Sequence, residues 1–283
     1  MPPRISPTAR QVRLGAELRK LREACGMSTR EAGGFLGGGS AQISHIEAGR
    51  WGVSTERVRS LAAHYKASNE SLVDELCKMA EERGRGWWAA YRGILTPGFL
   101  DVSELEHHAQ GLRLFQITHV PGIFQTEDYA RVVFSGSVAG LLLSDLDARV
   151  EHRIRRRAVY DKESPPPTTV VVHEAALRMR YGSRKVQRVQ LEFLAEVAEW
   201  SAVTLRIIPF DRDDMLGRAQ SMLYAEGPLP ELDTVQLDGS FGGQFVDAKA
   251  LLAMYRKMFD TLASMALSVG DSHRFLDQVV RET

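Results

Sequence analysis

The chain has 283 residues, 44% apolar and 8% aromatic, which is enough to bury cores in two domains of ordinary size. Two cysteines, Cys25 and Cys77, exclude a disulfide framework, no Cys/His group has zinc-site spacing, and the longest apolar run, Ala139 to Leu143, excludes a membrane span. Net charge is zero, yet residues 1–66 hold 11 Lys+Arg against 5 Asp+Glu and the remainder 25 against 31, so a basic end that suits phosphate contact is joined to an acidic remainder.

Met1 to Ser6 lacks the apolar centre of a signal peptide, and a cytoplasmic protein is expected. Arg10 to Ala24 then carries Leu14, Leu18 and Leu21 at i, i+4 and i+7, with Gly26 where a helix ends. Ser28 and Glu31 form a capping box opening a short helix that reaches Phe35. Leu36 to Gly39 is a turn, after which Ser40 to Ala48 directs Ile43 and Ile46 inward and leaves Ser40, Ala41, Gln42, Ser44 and His45 mostly outward. Gly49 to Gly52 breaks the chain again, and Ser54 caps a fourth helix carrying Val58, Leu61, Ala62 and Tyr65.

The stretch from Met27 to Gly49 resembles the phage-repressor-like (Cro/repressor, xenobiotic-response-element) helix-turn-helix family. The marks are Leu14, Leu18, Leu21, Arg22, Ser28, Glu31, Leu36, Gly37, Ile43, Ser44, Ile46, Glu47 and Gly49. The resemblance implies a DNA-binding transcriptional regulator, an ion pair between Arg22 and Glu47, and a close helix crossing at Gly33, where the family carries Ala. In such a motif the second helix enters the major groove. Gln42 suits adenine, His45 suits guanine acceptors, and Ser40 serves base or phosphate, with Ala41 and Ser44 beside them. Thr29, Arg30 and Arg50 are placed for phosphates of double-stranded DNA. Operator geometry leads to the expectation of a homodimer. Gly39 departs from the pattern by taking the place of the usual Ser/Thr cap, and Gly34 weakens the helix before it.

Asn69 to Arg83, with Leu72, Leu76 and Met79 on one face, continues through Gly84-Arg85-Gly86 into Trp87, Trp88 and Tyr91. This bridge sets the expected boundaries: head 1–68, helical connector 69–97 and second domain 98–283. In that domain the periodicity predicts helices over 103–115, 145–160, 186–199, 247–267 and 272–281. A short apolar segment spans Phe115 to Val120, and strands are expected over 168–172, 203–208, 220–226 and 234–238. The predicted fold class is therefore an all-α helix-turn-helix domain followed by an α+β domain with an antiparallel sheet.

Arg153, Arg155, Arg156 and Arg157 read as a solvated helix face paired with carboxylates. His107, His108, His119, His152, His173 and Asp211 to Asp214 supply acid–base side chains, but no nucleophile motif, metal-ligand spacing or nucleotide loop accompanies them, and no enzyme or cofactor is expected. Glu174, between a valine strand and an apolar helix start, reads as a buried carboxylate needing Arg178 or Arg206 as partner. The three mark a possible partner or effector site.

Val120 to Arg131, taken with Gly86-Trp87-Trp88, Leu105 to Ala109, Arg149 to Arg157, His173 to Arg178, Gln190-Leu191, Val203 to Phe210 and Tyr255 to Leu267, resembles the C-terminal domain of Scr1-type antitoxin-like regulators, which include WhiJ-like actinobacterial proteins. That resemblance implies a nucleoid-associated regulator whose second domain meets an effector or a small cognate protein encoded nearby. Its alternative is an antitoxin-like interaction protein that mainly binds and neutralises that partner.

Overall fold

A computed structural model describes residues 7–82, 86–137, 143–212, 220–238 and 243–283. Met1 to Ser6, Arg83 to Arg85, most of the apolar run at 139–143, and Asp213 and Asp214 lie outside the described residues. The chain divides into two compact units, Met1–Arg92 with Phe99–Glu104, and Gly93–Gly98 with Leu105–Thr283.

The first unit is helical: α1 (Ala9–Ala24), α2 (Thr29–Phe35), α3 (Ser40–Glu47), α4 (Thr55–His64) and α5 (Glu70–Glu81), then a 3-10 turn over Trp87–Tyr91. Its termini explain the short elements. The Ser28 hydroxyl accepts from Glu31 N at 3.3 Å, while Glu31 Oε2 accepts from the Ser28 hydroxyl at 2.6 Å and from Ser28 N at 2.7 Å, and these last two bonds hold the Glu31 carboxyl below its ordinary range. A second capping box, Thr8 with Gln11, starts α1. Ala32, Ile43, Leu61 and Tyr65 form one buried cluster, with Leu21, Met27 and Leu36 packed against it. α6 (Pro97–His108) lends its middle, Phe99–Glu104, to this unit.

The second unit is built on β1 (Gly111–Gln116), α7 (Glu127–Ser137), α8 (Leu143–Arg155), β2 (Thr168–His173), α9 (Glu174–Arg178), α10 (Arg184–Ala198), β3 (Val203–Ile208), β4 (Met222–Glu226), β5 (Thr234–Leu237), β6 (Gln244–Val246), α11 (Lys249–Met265) and α12 (Val269–Glu282). The strands form one sheet in the order β3-β2-β1-β4-β5-β6. This corrects the expected antiparallel sheet: β1 with β2 and β2 with β3 are parallel, and only β1-β4, β4-β5 and β5-β6 are antiparallel. The reason lies in the connections. Helices α7 and α8 separate β1 from β2, and α9 and α10 separate β2 from β3, which are crossovers of the length a parallel pair requires.

Both sheet faces are covered, so alternate side chains enter different cores. Leu112, Leu114, Val170, Val172, Leu205 and Ile207 pack with Tyr129, Leu191, Leu194 and Leu276, whereas Phe115, Val171, Ile208, Met222 and Tyr224 pack with Leu252, Phe259 and Leu262 of α11. The run Val170-Val171-Val172 is accordingly fully buried on both faces, as suits an interior parallel strand. Edge strand β3 is closed by Leu267 N, which donates to Ile207 O at 2.8 Å, and by the Ser272 hydroxyl, which accepts from Ile207 N at 3.1 Å.

The arginine-rich segment is also corrected: it does not present one solvated face. Regular helix ends at Arg155 and a 3-10 turn follows over Arg156–Asp161, so Arg153 and Arg156 turn together toward the 3-10 turn at Gly122–Phe124. Arg156 donates from Nε and Nη2 to Glu106 at 2.8 and 2.5 Å. Arg153 donates to Gln125 Oε1 at 2.7 Å and lies 4.1 Å over the Phe134 ring. His152 is buried beside them, and burial, then Arg156, Arg153 and Arg155, push its imidazole down to about 3.

Candidate nucleic-acid interface

Two helices joined by a tight turn become a reader only if a scaffold fixes the second. Here α3 is fixed at both ends by backbone approach and by charge. A Cβ at Gly33 on α2 would lie 2.7 Å from Gly39 C and O at the start of α3, so the expected close crossing is made against the cap residue of α3. At the other end a Cβ at Gly15 on α1 would lie 2.5 Å from Ile46 O and 2.7 Å from Glu47 C. Gly15 is a constraint that leucine periodicity did not reveal, because it concerns what is missing from the helix face.

Between these crossings Arg22 reaches Glu47, Nε to Oε1 at 2.6 Å and Nη2 to Oε2 at 3.0 Å, and sends Nη1 to Met27 O at 2.7 Å. The side chains are 9% and 8% exposed. The Glu47 hydrogen bond raises the Arg22 guanidinium above its ordinary range, and burial, then Glu47, push the nearby Tyr65 phenol up to about 12. One ion pair therefore joins α1, α3 and the entry to α2.

With Ile43 and Ile46 buried, Ser40, Ala41 and Ser44 are exposed along α3, and Arg30 and Arg50 are exposed at the start of α2 and just beyond α3. Thr29, the first residue of α2, is half-buried. Three expected readers make contacts within the head. His45 stacks on Trp51 with ring centroids 5.1 Å apart, and Ser44 Oγ donates to Ser40 O at 3.0 Å. Gln42 is half-buried against the turn, where a Cβ at Gly38 would collide with its Oε1. Trp51 went unread as a site residue. Its only sequence signal is its place two residues beyond Gly49, whose φ of 70° turns the chain back under His45.

Gly39 caps α3 without a side-chain bond. A Cβ at Gly34 or at Gly39 would meet nothing within 4 Å. Gly34→Ala is therefore expected to stabilise the head by about 0.5–1 kcal/mol and Gly39→Ser by up to about 1 kcal/mol. Thermal denaturation checks both, and a fall in unfolding temperature for either would contradict the open space around these positions.

The candidate group in the second unit is only partly assembled. Glu174 is buried, accepts from Arg178 Nε at 2.5 Å and from Phe210 N at 2.8 Å, and Arg178 also binds Glu282 at 2.8 Å. Arg206 does not join them. It donates to Ala266 O and Leu267 O, both at 2.8 Å, where it satisfies carbonyls at the end of α11. Among the described residues no three His, Cys, Asp or Glu side chains are grouped to hold a metal ion, and no helix is long and apolar enough to cross a membrane.

Residues 13–76 match the helix-turn-helix domain family, a span that contains the Arg22–Glu47 pair and all of α2 and α3. Residues 99–278 match the family described as Domain of unknown function (DUF5753). No curated protein and no solved structure matches the chain. With nearly two thirds of its length in that second match, the chain belongs to the DUF5753 family and carries a helix-turn-helix domain at its N-terminal end.

Proposed function

We propose that this protein is a sequence-specific transcriptional regulator, not an enzyme, which binds double-stranded DNA as a homodimer through α3 and uses its second unit as the sensor or partner-docking domain. The observation that carries the reading is the polar outer face of α3 held on the Arg22–Glu47 pair within a matched helix-turn-helix domain. Arg30, Arg50 and Thr29 are assigned to phosphate and Ser40, Gln42 and His45 to base edges, since phosphate contacts position such a domain and base edges specify its site.

A gel-shift on the protein's own promoter region tests this. Gln42→Ala is expected to lower specific affinity about 10–100-fold, the equivalent of about 1–3 kcal/mol, while Arg30→Ala weakens binding to all sequences alike and reduces the salt slope by about 1. Absence of a specific shift, or an undiminished shift in Gln42→Ala/His45→Ala, removes the proposal.

A further inference from the structure

Arg153 and Arg156 converge on one backbone position. A Cβ at Gly122 would lie 3.1 Å from Arg156 Nη1 and 3.4 Å from Cζ and Nη1 of Arg153, so both guanidiniums flank a residue that has no side chain to put between them. Their compensation is unequal. Arg156 gives Nε and Nη2 to the buried Glu106 carboxylate, but Arg153 gives Nη1 to the neutral amide of Gln125, and its buried Nε has no partner among the described residues. Among the described residues no carboxylate hydrogen-bonds to Arg153, and Asp238, which accepts from Gln236 Nε2 at 2.7 Å, acts on it only through space.

Two cations therefore share one bonded carboxylate. Burial and then Arg156 push the Arg153 guanidinium down to about 9, and burial followed by Arg153 holds the neighbouring His119 imidazole below its ordinary range. A guanidinium does not shed its proton in practice, so the strain is relieved by an anion and not by neutralisation. Phe134 beneath Arg153 supplies a ring face but no charge. Neither arginine is sealed off, since both side chains are only partly buried.

We infer that Arg153 and Arg156, with Gly122 between them, form an oxyanion subsite that takes the carboxylate or phosphate group of a small ligand. Guanidinium donors complement either group in charge and can bond two of its oxygens. Assigning that ligand as the effector rests on the second unit being the sensor, whereas the binding itself does not depend on the head meeting DNA.

The test uses the full-length protein without DNA. Its thermal unfolding is followed in sodium phosphate and in sodium citrate against sodium chloride at matched ionic strength, and each oxyanion is titrated by calorimetry. An oxyanion at ten times its dissociation constant should raise the unfolding temperature by about 4 °C beyond chloride. Response to phosphate alone identifies a phosphorylated ligand, and response to citrate alone a carboxylate. Arg153→Met should abolish the response while leaving the anion-free protein as stable as before or more so, because an under-compensated buried cation is gone. Gly122→Ala should weaken it, because its methyl group would push the two guanidiniums out of place. Equal behaviour in chloride and both oxyanions, or a response that survives Arg153→Met, overturns the inference and leaves the gel-shift result untouched.

Discussion

Arg22→Ala is expected to cost the helical head about 3 kcal/mol and to lower its unfolding temperature by on the order of 15 °C, with specific DNA binding falling in step. The substitution removes three hydrogen bonds at once, two to Glu47 and one to Met27 O. What remains is a carboxylate only 8% exposed, at the last residue of α3 and beside the buried Tyr65 hydroxyl. An unpaired charge in that position costs more than the pair contributed, because its desolvation is no longer offset. The joint variant Arg22→Met/Glu47→Leu should therefore recover most of the loss. Circular dichroism melts separate the two outcomes, and if the double variant is as unstable as Arg22→Ala, the pair is not what fixes α3.

The reading of the head from sequence succeeded where the information is local. Ser28 and Glu31 are three residues apart, and their capping box marks the start of α2 without any knowledge of the fold. Gly39 as a bare cap was legible for the same reason. The second unit was harder because its decisive contacts are distant in sequence. Leu105, Ala109 and Leu112 have helical spacing, so the predicted helix ran to residue 115, yet α6 ends at His108 and β1 begins at Gly111. The polar Arg113 in that strand hides its character: its guanidinium binds Glu226 and Asp260 while lying within 6 Å of the Tyr224 and Phe259 rings.

Parallel pairing was illegible for a related reason, since Leu112 meets Thr168 and Thr168 meets Val203 only after helices have carried the chain across. The short strand β6 went unread altogether. Charge patterning misled most in the arginine run, where a sequence of like charges gives no sign of which side chains turn inward. Arg153 and Arg156 face Gly122, Arg157 lies over Phe193, and only the end of the helix at Arg155 sorts them. Arg206 shows the same limit, because its partners are carbonyls that no sequence pattern announces.

The second unit should be most sensitive at Glu106. Its side chain is 1% exposed and is, among the described residues, the carboxylate bonded to Arg156, so Glu106→Ala is expected to cost about 4 kcal/mol and about 12 °C in unfolding temperature. The direction follows from counting charge: the change leaves Arg153 and Arg156 beside each other on Gly122 with the buried His152 next to them and Asp238 acting only through space. Glu106→Gln keeps an acceptor for Arg156 but removes the charge, and should cost less than Ala while remaining clearly destabilising. Added sodium chloride should rescue neither, since the position that Glu106 vacates is itself 1% exposed and diffuse screening barely reaches it. Glu106→Leu/Arg156→Met should lose less than Glu106→Ala, because an unpaired buried guanidinium has been taken away with its partner. Denaturant titration of the three variants orders them, and a Glu106→Ala protein within about 0.5 kcal/mol of the parent, the usual spread of surface substitutions, would mean that the arginines are compensated by something other than this carboxylate.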